Sequence, residues 1–207
     1  MRLRRSLVTG PAIEPVTLDE LKAHLRVDTS DEDELLLRHL VSARDAVEQY
    51  SGLKLINQTW DLWLDQQANT VLSIPLGPLV SIDGVYTTND AGTETELAST
   101  YYICDTGDWQ MPGRLILNYG VSWPAWPSQR TYRSVRVRVT VGFGTAATDV
   151  PRTIREAVLI IAAATYENRE GGNSQAEYMG GAAGVLLIST LPGLALDLLR
   201  PFRRLRL

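Results

Sequence analysis

The hydrophobic period of this chain changes twice, and that limits its fold more than any single motif does. Apolar residues recur at steps of three and four near the N-terminus, then at steps of two, then at three and four again. The order predicts an α+β protein: a helical layer of about four helices, built from both chain ends, with an inserted antiparallel β domain. No internal repeat or low-complexity tract interrupts it.

Local signals place the elements. Thr17-Leu18-Asp19-Glu20 is a capping box, in which the Thr17 hydroxyl accepts from the N–H of Glu20 and Glu20 reaches back to Thr17. It predicts a helix over 17–26 with Leu18, Leu21 and Leu25 on one side. Ser30 or Asp31 is expected to cap a second helix, 31–51, and Asp31 to Glu34 suit its positive end. Leu36, Leu40, Ala43, Val47 and Tyr50 form its stripe, and Gly52 stops it.

From Leu55 the period is two. Trp60, Leu62 and Leu64 alternate with Thr59, Asp61 and Trp63. Short apolar runs follow at Val71–Ile74, Val80–Tyr86, Tyr101–Cys104 and Arg114–Tyr119. In Ser134–Val141 four valines face one way, and Ser134, Arg136, Arg138 and Thr140 the other. Strands are expected only within about 55–145.

Helix returns at Pro151, suited to a first helical turn. Ile154, Val158, Ile161 and Thr165 make the stripe of a helix over 151–169, with Ala157, Ala162 and Ala164 allowing close packing. Gly171-Gly172 ends it, and the glycine-rich 171–184 is expected to be a mobile loop. A last helix over 191–200 presents Ala195, Leu198, Leu199 and Phe202, and Pro201 ends or kinks it. The expected division is 1–54, the N-terminal part of the helical core; 55–147, the β insertion; and 148–207, the C-terminal part.

No residue pattern assembles a catalytic, cofactor or metal site. His24 and His39 lack partners at zinc spacing. Cys104, the single cysteine, reads as a structural thiol and excludes an internal disulfide. Gly142-Phe143-Gly144-Thr145 superficially resembles a phosphate loop but lacks its third glycine and lysine, so it reads as a turn. The acids at 28–34 lack calcium-loop spacing and read as helix-start electrostatics. Trp60, Trp63, Trp109, Trp123 and Trp126 are not interleaved with basic residues and read as packing or interface residues.

Charge is uneven. The net is −4, yet three arginines stand in the first five residues and four in the last eight. Setting those seven of 20 basic residues aside leaves 13 against 24 acids, a body of −11. Such a body argues against a DNA-coating surface and suits an assembly protein whose ends reach into a partner. The basic start is not followed by a signal peptide's apolar run, and no stretch is long enough to cross a bilayer. A soluble, cytoplasmically made protein is expected. The end, Leu199-Arg200-Pro201-Phe202-Arg203-Arg204-Leu205-Arg206-Leu207, alternates cations with apolar anchors, as a docking peptide does.

The run Ala12-Ile13-Glu14-Pro15-Val16-Thr17-Leu18-Asp19-Glu20-Leu21-Lys22-Ala23-His24-Leu25-Arg26-Val27-Asp28 resembles the N-terminus of the phage head–tail connector (adaptor) family. So does Asp31-Glu32-Asp33-Glu34-Leu35, with Ala43-Arg44 and Val47-Glu48 beyond it. Gln58-Thr59-Trp60, Pro75-Leu76 with Pro78-Leu79, Val150-Pro151 with Ile154, and Tyr166–Glu170 resemble the branch with a β insertion, as do Leu198-Leu199 and Pro201-Phe202-Arg203. The resemblance implies a non-enzymatic virion subunit at the head–tail junction, without cofactors. It would form a ring, usually of twelve copies, beneath the portal, extending the DNA channel and meeting a stopper or other head-completion or tail protein. DNA would pass without sequence-specific binding. The resemblance sets the C-terminus against the portal, with Leu199, Arg200, Phe202, Arg203, Arg204, Leu205, Arg206 and Leu207 as the contact. Two other classes stay open: a nucleic-acid-binding packaging factor, and a small hydrolase, for which no clustered nucleophile, base or metal is visible.

Overall fold

Four valines at alternate positions organise the β part of the molecule. A computed structural model of the chain describes residues 3–65, 71–121, 132–168 and 191–203. Among these the strands are β1 (Leu3–Thr9), β2 (Gln58–Leu64), β3 (Val71–Ser73), β4 (Leu79–Thr88), β5 (Glu94–Glu96), β6 (Tyr102–Asp105), β7 (Arg114–Leu117) and β8 (Val135–Val141). Val135, Val137, Val139 and Val141 are each 0% exposed, because β8 is the central strand of a five-stranded sheet ordered β1-β2-β8-β4-β5. All its pairings are antiparallel. A three-stranded antiparallel sheet, β3-β7-β6, contributes Leu72, Leu115 and Leu117 to the same core as Leu62, Leu64, Leu79 and the valines.

Two strands escape the pattern reading. β5 is a three-residue return after the Asn89–Gly92 turn. β1 contradicts the expectation that strands lie only within 55–145. Its Leu, Val and Thr residues fit a strand, and pairing with β2 satisfies backbone groups on that side of β2. The two compact units therefore differ from the expected division at the N-terminus: residues up to Ile13 go with Gly52–Asp149, and Glu14–Ser51 goes with Val150–Arg203.

The helical unit holds α1 (Leu18–Leu25), α2 (Asp33–Ser51), α3 (Arg152–Glu167) and α4 (Gly193–Leu199). The capping box of α1 is formed: Thr17 Oγ1 accepts from the Glu20 N–H at 3.2 Å, and Glu20 Oε2 accepts from the Thr17 N–H at 2.8 Å. α1 ends on Arg26 in the left-handed region, φ 57°. α2 starts at Asp33, two residues later than expected, with the Asp33 carboxylate bound to Lys22 at 2.7 Å. Gly52, φ 75°, follows its last residue. Pro151 caps α3 rather than entering it.

The apolar stripes are buried where the period places them. Leu36, Leu40, Ala43 and Val47 of α2 and Ile154, Val158 and Ile161 of α3 are inside. α3 packs on α2 and α4, and α1 packs on both α2 and α3. Thr165 is the exception in its stripe: it is exposed and returns its hydroxyl to the Ile161 and Ala162 carbonyls. α3 ends at Glu167, before the expected stop; Gly171-Gly172 and the loop 171–184 lie outside the described residues.

Candidate interaction surfaces

The C-terminal segment divides at Leu199. Ala195 and Leu199 are buried on α4, Leu199 completely, so the Leu199 side chain belongs to the helical unit and is not free for a partner. This corrects its place among the expected contact residues. A 3₁₀ turn, Arg200–Phe202, follows, with Pro201 ending the α-helix as expected. Arg200 and Arg203 are exposed and Phe202 is half-buried. The Arg203 guanidinium lies 5.5 Å from the Tyr50 ring centre, a cation–π contact at the end of α2. Arg204, Leu205, Arg206 and Leu207 lie outside the described residues.

A groove of about 620 Å³ runs between α1 and α3, lined by Val16, Ala23 and Leu159 and by the charged Glu20, Arg152, Arg155 and Glu156, with His24 at its wall. Arg155 spans its floor, donating to the Pro15 carbonyl at 2.9 Å and to Glu20 at 2.6 Å. Glu20 is held below the ordinary carboxylate range, first by the Thr17 N–H and then by Arg155. Nearby in the same unit, Arg44 gathers Glu14 at 2.9 Å, Asp45 at 3.2 Å and Glu48 at 3.9 Å. Burial raises the Glu14 pKa, against the pull of Arg44.

The outer face of the five-stranded sheet is charged but internally matched. Arg138 is bidentate to Asp61, and Arg136 is bidentate to Glu94 at 3.1 and 2.6 Å. Arg136 also lies 3.9 Å from the Tyr86 ring centre and 5.6 Å from that of Trp63. The alternation shows which way these arginines point. It does not show that Asp61 and Glu94, 42 and more residues away, meet them.

The remaining residues singled out by sequence have structural settings. Asn57 and Asp149 fill the Gly142–Gly144 turn: a Cβ on Gly144 would fall 2.1 Å from the Asp149 carboxylate, which accepts from the Ala146 N–H. Cys104 is partly buried against the β core, and burial raises its thiol pKa. His39 meets Tyr166 edge-on, and the Tyr166 hydroxyl donates to Glu32. Trp60 packs on the β core under the Lys54 ammonium. Trp123 and Trp126 lie outside the described residues. Among the described residues no cluster of His, Cys, Asp or Glu could hold a metal ion, and no helix is long and apolar enough to cross a membrane.

A helical unit built from Glu14–Ser51 and Val150–Arg203, joined in sequence to an antiparallel β unit, defines an α+β protein. Residues 15–106 match the family described as Phage gp6-like head-tail connector protein. This stretch of the chain is therefore similar to phage head–tail connector proteins. Solved structures agree along its length. A chain from the neck of an empty GTA (gene transfer agent) particle, computed with C6 symmetry, matches with TM-score 0.74 and 26% identity, over 100% of this chain and 97% of that one. A chain from the virion of a native GTA particle matches with TM-score 0.73 and 25% identity, over 98% and 96%. A chain from a native GTA neck computed with C12 symmetry shares the fold, with TM-score 0.71 and 24% identity, over 100% and 97%. No curated protein sequence matches.

Proposed function

We propose that the chain is one subunit of a closed ring at the head–tail junction of a phage or phage-like particle. The ring sits beneath the portal, extends the DNA channel and offers its far side to a stopper or tail protein. Its role is structural rather than enzymatic. The full-length likeness to neck chains from particles treated with six- and twelve-fold symmetry is the observation that carries this reading. Twelve copies fit it best. A packaging factor that coats DNA has less support, because Arg136 and Arg138 on the sheet face are already matched by carboxylates.

The C-terminus is proposed to join this ring to the portal. Arg200, Phe202 and Arg203 end the helical unit just after the buried Leu199, and Arg204, Leu205, Arg206 and Leu207 continue the alternation of cation and apolar anchor in sequence. A groove with apolar and acidic surface satisfies both sets, and many copies on one ring turn a weak contact into a durable joint. The free subunit is expected to be monomeric. The test is truncation after Leu199, with heads imaged for attached tails. A folded, monomeric truncated subunit with tailless, DNA-filled heads is the expected result. Normal tail yield would reject the docking role.

A further inference from the structure

The five-stranded sheet is open, and its two edges differ. β1 runs along one edge for seven residues and β5 along the other for three. From Arg4 to Thr9 the residues of β1 are exposed, and so are Glu94, Thr95 and Glu96 of β5. Leu7 is 49% exposed although its register, opposite Trp60 and then Val139, puts it on the apolar face of the sheet. An edge that is unpaired among the described residues and carries a half-bare apolar side chain invites another strand.

The pairing register joins the two edges by one row of residues. Arg4 stands opposite Trp63, Trp63 opposite Arg136, Arg136 opposite Tyr86, and Tyr86 opposite Glu96. Cation, ring, cation, ring and anion thus cross the outer face in order, and the Arg136 contacts to both rings show that the centre of the row is formed. Its ends are unmatched. Among the described residues Arg4 and Arg5 have no ion pair, and neither does Glu96, whereas Glu94 is held by Arg136. The row begins with a positive charge and stops at a negative one, neither in an ion pair among the described residues.

We infer that these edges meet between neighbouring copies of this chain, β1 of one against β5 of the next, with Arg4 facing Glu96. This rests on the ring reading above and names one of its contacts. A closing ring needs two different, mutually complementary surfaces on each subunit, and the opposite edges of one open sheet supply them. Strand neighbours lie 4.7–4.9 Å apart, within reach of cross-strand charge pairs. A three-residue edge gives only a short ladder, so the contact is weak for two free copies and is reinforced when the portal gathers them.

The test uses heads carrying Arg4→Cys/Glu96→Cys subunits in a Cys104→Ser background, mildly oxidised and run on a non-reducing gel. A ladder of linked subunits is expected, absent from each single-cysteine control. A second arm avoids cysteine: Arg4→Glu and Glu96→Arg each lower ring occupancy roughly tenfold by setting like charges together, and the double swap restores it. Either the ladder or the rescue upholds the inference. If rings are imaged on heads while no ladder forms and the reversals are silent, the edges do not meet, though the ring stands. If wild-type heads carry no ring, both readings fall.

Discussion

Asp61 serves two arginines of the adjacent strand, accepting hydrogen bonds from Arg138 and standing as a counter-charge to Arg136. Its two oxygens bind Arg138 Nε and Nη2 at 2.9 and 3.0 Å, and Oδ1 lies 3.5 Å from Arg136 Nη1. Asp61 and Arg136 are nearly buried, while Arg138 still reaches water. Removing this carboxylate leaves Arg138 with solvent alone and the nearly buried Arg136 with Glu94 alone.

Asp61→Asn is therefore expected to lose about 2–3 kcal/mol of stability, below the cost of a fully buried pair because Arg138 can turn to solvent. Urea unfolding followed by tryptophan fluorescence measures it. Asp61→Asn/Arg138→Gln should recover part of the loss. Unchanged stability in the single variant would mean that the pairing contributes nothing net.

The helical unit has two carboxylates with opposite pH behaviour. Glu20 is held low, so its contribution is complete above the ordinary value of 4.5 and is lost as pH falls through its lower folded value. Glu14 is raised by burial, so its ionisation costs stability at neutral pH, and that cost is relieved as pH falls through the raised value toward 4.5. Stability measured against pH should fall less steeply below pH 4.5 in Glu20→Gln. In Glu14→Gln the relief just above pH 4.5 should vanish. Thr17→Ala, which removes the other half of the capping box, should cost about 1 kcal/mol at neutral pH.

The sequence pattern was most informative where burial follows one period. The stripe Leu36, Leu40, Ala43 and Val47 and the four valines of β8 are inside, because each repeats over several turns or pleats. β1 was hidden for a physical reason: an edge strand exposed on both faces has no alternation to display. Its usable signal was Leu7-Val8-Thr9 before Gly10-Pro11, strand formers ahead of a turn, and the adjacent arginines obscured it. The surfaces were less legible than the core. Arg136 and Asp61 are aligned by register between distant strands, which local spacing does not encode. Leu199 looked like part of a tail because it adjoins Arg200, yet it lies one turn after Ala195 on the same buried face.

Gly113 lies so close to Leu79 that a Cβ would stand 2.5 Å from the Leu79 Cβ and Cδ2. Gly113→Ala should cost about 1–3 kcal/mol through overpacking. Thermal unfolding reads it.

Leu199→Ala and Arg203→Ala should separate stability from docking. Truncating the fully buried Leu199 should cost about 2–5 kcal/mol. Arg203, exposed over Tyr50, should cost under about 1 kcal/mol. If the proposed docking holds, Arg203→Ala weakens portal binding while the subunit stays folded. Calorimetry and pull-down on portal give the two readings.

The central position of β8 has a consequence during synthesis. β2 and β4 both need β8, whose residues leave the ribosome more than 45 positions after β4 is complete. α2 likewise waits about 100 residues for α3. Such distant pairings close slowly and late. Until β8 has emerged the five-stranded sheet cannot close, until α4 has emerged the helical unit cannot be whole, and strands already made present bare edges to every other nascent chain nearby. Folding is thus timed by the last third of the chain, and a slow or stalled passage there exposes this protein to misassembly before a subunit exists.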